Sequence, residues 1–262
     1  MPQIQRDGAV LNYEICGESG PWVTLINGHT RPLNDFRMMS KYLAARGLRC
    51  LLLDNRGSGL TVCSENFKLA DMVNDVKGLW DHLEILKSSV LGISMGGFLA
   101  QQIAVDYEQN IDRLILVSTA NSKSTVANID EPWGDTLDQI EKRMSKYFTP
   151  EFALSNQPII KGMTKQILNS VKEGAFIKNA ELQSHAVRDF DATGKLSSFA
   201  GPTCIIHGDK DRIVAVEAAE NLKKEIDNSF LEVIKGAGHL LLAEEPKKLY
   251  LIAADFLLAD GR

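Results

Sequence analysis

The stretch LGISMGGFLAQ, residues 91–101, sets a serine between glycines and follows it with small and apolar residues. Its core, Gly92-Ile93-Ser94-Met95-Gly96, fits the pattern G-x-S-x-G, which a chain of 262 residues shows by chance roughly one time in ten. The surroundings decide its meaning. Ser88–Ile93 reads as a strand and Met95–Val105 as a helix, so Ser94 falls on a strand-to-helix junction. A turn that sharp strains the serine backbone, and flanking residues with a Cβ would crowd it, which gives Gly92 and Gly96 a steric role.

Outward from this junction the chain alternates. A hairpin is expected at Gln3–Gln5 and Ala9–Cys16 around Asp7-Gly8. Short apolar runs follow at 22–27, 49–54, 88–93, 113–119, 203–207 and 230–236, nearly continuous rather than alternating. That is the pattern of parallel strands covered on both faces. Between them, Leu69, Met72, Val73, Val76, Leu79, Trp80 and Leu83 keep to one face of a helix over 66–85, and 95–107 and 245–258 also read as helices. The expected fold class is α/β, a mostly parallel central sheet flanked by helices. From 121 to 198 only helical patterns occur: Leu137, Ile140, Met144, Tyr147 and Phe148 share one face, as do Ile159, Ile160, Met163, Ile167 and Val171. We expect a core domain of residues 1–120 and 199–262, with 121–198 inserted as a helical cap over the carboxyl ends of the strands, where such sheets bind ligands.

Net charge is −5 and Lys and Arg are scattered, which argues against nucleic acid as a partner. No apolar run reaches the ~18 residues of a membrane span, and the first residues carry no secretory signal pattern. A cytoplasmic protein is expected. Cys16, Cys50, Cys63 and Cys204 form no C-x-x-C pair and read as buried thiols, so no metal site is expected.

A serine hydroxyl needs a base, and the base needs a group to orient it. Of five histidines, His82 lies on a helix surface and His185 in the expected cap, and His207 ends an apolar strand as a packed residue would. His239 follows Lys235-Gly236-Ala237-Gly238, a loop able to project an imidazole over the sheet edge, and is the best base. The acid belongs on a loop between serine and histidine in chain order. Asp211 is preferred there, with Asp209 in reserve.

With these residues in place the chain resembles the α/β-hydrolase fold family, in its capped, esterase-like branch. The resemblance spans nearly the whole chain and rests on Ile26-Asn27-Gly28-His29-Thr30, Asp54-Asn55-Arg56-Gly57-Ser58-Gly59, the elbow at Ser94, the loop His207 to Asp211, and Gly236-Ala237-Gly238-His239. It implies Ser94 as nucleophile, Asp211 as acid and His239 as base, with the backbone N–H groups of His29 and Met95 as oxyanion donors. Asn27-Gly28 stands where the family usually has His-Gly. No aspartate occurs at 118–121, the position of the acid in some members, which favours Asp211.

The resemblance implies acyl transfer on a small-molecule ester without a metal or organic cofactor. Small-to-medium carboxylic esters are favoured. A lactone hydrolase with the same triad is the nearest alternative, and a weakly catalytic ligand sensor on the same scaffold is another. Trp133, Met144, Tyr147, Phe148, Ile159 and Met163 offer apolar pocket walls, and His29, Thr30, Arg31, Asn34, His185 and Arg188 polar selectivity. Of these, Thr30, Trp133, Tyr147 and His185 are the chosen substrate-binding candidates.

Overall fold

The computed structural model of the protein describes residues 2–64, 66–127 and 133–259. Its strands are β1 (Gln3–Arg6), β2 (Ala9–Cys16), β3 (Trp22–Ile26), β4 (Arg49–Leu53), β5 (Val62–Cys63), β6 (Ser88–Ile93), β7 (Ile111–Val117), β8 (Thr203–Gly208) and β9 (Ser229–Ile234). They form one sheet in the order β1-β2-β4-β3-β6-β7-β8-β9, with β5 pairing β2. β1, β2 and β5 run antiparallel to their neighbours, and every pairing from β4 through β9 is parallel. The fold is that of the α/β hydrolases.

The helices are α1 (Arg37–Ala44), α2 (Leu69–His82), α3 (Met95–Asp106), α4 (Leu137–Met144), α5 (Pro150–Ser155), α6 (Gln157–Lys172), α7 (Phe176–Ala186), α8 (Val216–Glu225), α9 (Leu241–Glu244) and α10 (Pro246–Leu258). α2, α3 and α8 bury apolar residues in the core on one face of the sheet, and α1 and α10 do so on the other. That double cover explains the strand sequences. β6 and β8 are buried at every position and show no alternation. β9 departs from the expected continuous apolar run: it is an edge strand whose residues alternate between half-buried and exposed until the buried Ile234.

A third apolar cluster, of Trp133, Ile140, Met144, Phe148, Ile160, Ile167 and Ala180, joins the helices between β7 and β8. Among the described residues of 121–198 there is no strand, only isolated bridges from Ser122 to Asp191 and from Val126 to Val214. Val187, Phe190, Ala192 and Leu196 pack into the sheet's own core, so the end of that segment shares its burial with the sheet. Leu137 and Ile159, expected on apolar helix faces, are exposed.

Backbones pack closely around β6 and α3. A Cβ on Gly92 would come within 2.3 Å of the Gly96 carbonyl oxygen, and one on Gly96 within 2.2 Å of the Ile26 carbonyl oxygen. These glycines let strand and helix backbones approach, while the left-handed backbone belongs to Ser94 itself. Gly96→Ala is therefore expected to destabilise the fold by about 3 kcal/mol, since both clashing groups are backbone. A urea unfolding midpoint equal to that of wild type would show that strand and helix can separate freely.

Candidate active site

Ser94 caps the N-terminus of α3 with φ 54° and ψ −119°, a conformation that costs of order 1–3 kcal/mol. Hydrogen bonds hold it there. Its N–H donates to the Val117 carbonyl at 2.9 Å, and its carbonyl accepts from Gly97 N–H at 2.8 Å and from Thr119 Oγ1 at 2.9 Å. β6 thus ends in a turn pinned to the end of β7, with the serine side chain only partly covered.

His239 Nε2 lies 3.0 Å from Ser94 Oγ, and His239 Nδ1 lies 2.8 Å from Asp211 Oδ2. Since the carboxylate can only accept, Nδ1 carries the proton and Nε2 is free to accept from the serine hydroxyl. Asp211 is fully buried. Its other oxygen accepts the backbone N–H groups of Ile213 at 2.8 Å and Val214 at 2.9 Å. Burial alone would raise its pKa, but the charge of His239 and hydrogen bonds from His207 and His239 outweigh it and hold the carboxyl well below the usual range. Asp209 does other work, accepting Gly236 N–H at 2.7 Å in the turn after β9. His207 is packed and structural, donating Nε2–H to the Val214 carbonyl at 2.9 Å, and that nitrogen lies 3.4 Å from Asp211 Oδ2.

The loop after β3 faces Ser94 from the other side. A Cβ at Gly28 would sit 3.3 Å from Ser94 Cβ, so glycine brings this backbone against the serine. Asn27, the departure from His-Gly, stiffens the loop: its Oδ1 accepts Gly28 N–H at 2.8 Å, and its Nδ2 donates to the Pro32 carbonyl at 2.9 Å and to Asp35 Oδ2 at 3.3 Å. Asn55 Nδ2 reaches the Asn27 carbonyl at 3.0 Å, and Asp54 Oδ1 accepts Leu33 N–H at 2.7 Å. His29 Nε2 donates to the Ala180 carbonyl on α7 at 2.8 Å. Met95 is the first residue of α3, where backbone N–H groups have no intrahelical carbonyl to meet.

A cavity of about 250 Å³ opens onto Ser94 and His239. Its wall is apolar at Ile93, Trp133, Met144, Tyr147, Met163 and Leu240 to Ala243, and polar at Asn27, Arg31, Asp35 and Gln166. Tyr147 stacks on Trp133 at 6.3 Å between ring centroids and lies 5.7 Å from the His239 ring. A hydroxyl, an imidazole and a buried carboxylate in this order suit proton removal from serine next to a bound small molecule.

The family model "Serine aminopeptidase, S33" (Hydrolase_4) matches residues 18–246. The chain belongs to the α/β-hydrolase family. It is a hydrolase of that family and is 27% identical to proline iminopeptidase PfmaB of Pestalotiopsis fici, over 92% of this chain and 94% of the relative. It is 26% identical to 3-oxoadipate enol-lactonase 1 of Acinetobacter baylyi, over 96% and 94%. A crystal structure of a hydrolase from Pseudomonas aeruginosa superposes with a TM-score of 0.86 at 25% identity, covering 98% of each chain.

Two expected pocket residues lie elsewhere. His185 is exposed on the last turn of α7, off the cavity wall, because that helix turns Ala180 and Gln183 inward. Thr30 lines a neighbouring cavity of about 360 Å³ together with Asn34. Its left-handed backbone points its N–H at Gln183 Oε1, 2.7 Å away. Arg188 is exposed, and Phe148 is buried in the covering cluster. Sequence reading missed Gln183, whose Nε2 donates to the Arg56 carbonyl at 2.7 Å and Ser58 Oγ at 2.8 Å, clamping α7 to two site loops. Its helical spacing from Ala180 and Val187, three residues before it and four after it, was its only local signal.

Among the described residues no cluster of His, Cys, Asp and Glu is placed to hold a metal, and no helix is long and apolar enough to cross a membrane. Cys50 and Cys204 are buried, whereas Cys16 and Cys63 are only half-buried. Burial pushes the Cys50 thiol up to about 12.

Asp211→Asn is expected to cut kcat about 10⁴-fold by allowing the wrong imidazole tautomer, and Asp209→Asn to change it by no more than about threefold. Comparable losses in steady-state assays would contradict the geometry. Because the folded carboxyl of Asp211 is lowered, its contribution to stability is complete above ordinary aspartate pKa values near ~3.9 and is lost as pH falls toward the folded value. Unfolding midpoints across acid pH should decline less in Asp211→Asn than in wild type.

Proposed function

We propose that the protein is a serine hydrolase of carboxylic esters, working through an acyl-enzyme. The observation that carries this reading is the unbroken chain from Ser94 Oγ through His239 to buried Asp211, at 3.0 and 2.8 Å, opening on a cavity. Ser94 attacks the ester carbonyl as His239 removes its proton, and Asp211 holds the imidazole tautomer. The oxyanion is met by the N–H groups of Met95 and His29, each contributing about 2.7–4 kcal/mol of barrier lowering, as measured for such donors. His239 then protonates the leaving alkoxide and activates water to release the acid.

The wall of the cavity supports a finer substrate class. Its lining combines apolar side chains with a polar set in which Arg31 is forked onto Asp35 at 2.6 and 2.9 Å, a pair of no net charge. Substrates that combine an apolar group with an uncharged hydrogen-bonding group match this lining better than free acids. Lactones fit the same machinery, and the Acinetobacter relative bears the name of a lactonase.

Turnover of p-nitrophenyl esters and labelling by a fluorophosphonate are expected in wild type and absent in Ser94→Ala. If wild type is as inactive and unlabelled as the variant, the enzyme reading fails and a ligand sensor takes its place. A panel of esters, lactones and aminoacyl amides ranks the acyl donors, and a preference for amides would displace the ester reading. Arg31→Met should lower kcat/KM for hydroxylated esters about tenfold while leaving p-nitrophenyl butyrate within about twofold. Equal effects on both would remove Arg31 from substrate recognition.

A further inference from the structure

The segment Ser145 to Thr149, which follows α4, is fastened to both loops that carry the acid and the base. Arg212, next to Asp211, donates one Nη2 to the carbonyls of Ser145 and Phe148, each at 2.7 Å. The N–H groups of His239 and Leu240 both donate to the Tyr147 carbonyl, at 3.1 and 3.3 Å. Glu244 closes the arrangement. Its Oε2 accepts Gly238 N–H at 3.2 Å and Thr149 Oγ1–H at 3.1 Å, and its Oε1 accepts Thr149 N–H at 3.3 Å.

Gly238 makes room for this carboxylate, because a Cβ there would lie 2.5 Å from Glu244 Oε1 and 3.1 Å from the Thr149 nitrogen. The left-handed turn of the loop falls at Gly236, so the two glycines have separate tasks. One bends the chain and the other admits Glu244 against the residue preceding His239.

We propose that Glu244 is a positioning residue for the reaction: its carboxylate locks the backbone before His239 to the segment that carries Tyr147 in the cavity wall. The inference rests on the reading of Ser94, His239 and Asp211 as a catalytic triad. Glu244 touches no reacting atom. It acts by fixing where the His239 ring stands relative to Ser94, and by making the wall that meets the substrate part of the same rigid frame. A displacement of about 1 Å at the base is worth up to about 100-fold in rate, which is what the lock prevents.

Glu244→Gln keeps the shape but turns one acceptor into an NH₂ group facing N–H donors. It is expected to lower kcat for a p-nitrophenyl ester about 30-fold with KM within about twofold, and to slow fluorophosphonate labelling in parallel. Thr149→Val removes one donor to Glu244 together with the Oγ1 acceptor that caps α5; it should lower kcat about threefold, Thr149→Ser should restore it, and the double variant should be no slower than Glu244→Gln alone. Folded Glu244→Gln with wild-type kcat and labelling overturns the proposal, as does a loss confined to KM or independent multiplication of the two effects. If Glu244→Gln does not fold, Thr149→Val against Thr149→Ser decides, and equal rates for these two overturn it. A wild type that neither turns over esters nor takes up the probe overturns the triad reading and this one together. A reactive wild type beside an unaffected Glu244→Gln overturns this one alone.

Discussion

The positive φ of Ser94 is the constraint around which the rest of the molecule is arranged. A non-glycine residue stays in that conformation only where its surroundings over-determine it. Here the Val117 carbonyl, Gly97 and Thr119 bind the serine backbone, and the backbones of β3, β6 and α3 approach so closely that Gly92 and Gly96 admit no side chain. The turn presents the hydroxyl at the mouth of the sheet and places the first amides of α3 beside it. Strain and packing therefore serve one end, a serine whose side chain stands clear of its own backbone.

Around that fixed point, four chain segments far apart in sequence supply the remaining groups. The loop after β3 brings a glycine backbone against the serine and is held by Asn27, Asn55 and Asp54. The loops after β8 and β9 bring a buried carboxylate and an imidazole. Residues 133–186 close the cavity and are tied down by Gln183, by Arg212 and by Glu244. The polar residues that matter here work mainly through backbone N–H and C=O groups. Their effect is to make neighbouring loops behave as one body, so the proposed chemistry meets a pre-arranged site rather than assembling it.

Much of the site was legible because its elements are local. A strand running straight into a helix across Gly-x-Ser-x-Gly identifies a turn, and the loops bearing Asp211 and His239 follow apolar strands directly. Parallel strands buried on both faces announce themselves as unbroken apolar runs, as β6 and β8 do. α1 and α8 do not stand out in the sequence because they are short, 8 and 10 residues, and β5 because two residues carry no period. His185 misled for a physical reason: residues on one helix share a neighbourhood in sequence, but its rotation decides which of them faces inward, and α7 turns Gln183 rather than His185 to the site loops.

By itself the sequence determined the fold class, the strained turn at Ser94, and a histidine and two neighbouring aspartates in the chain order that such a serine needs. Those are properties of short segments, set by periodicity, glycine sterics and loop position. Only the tertiary structure decided between Asp211 and Asp209, since the choice depends on which carboxylate meets the His239 ring. It likewise decided which side chains line the cavity, the separate tasks of Gly236 and Gly238, and where the Glu244 carboxylate stands. Each of those depends on distances between segments joined by no local pattern, and such distances are set by packing.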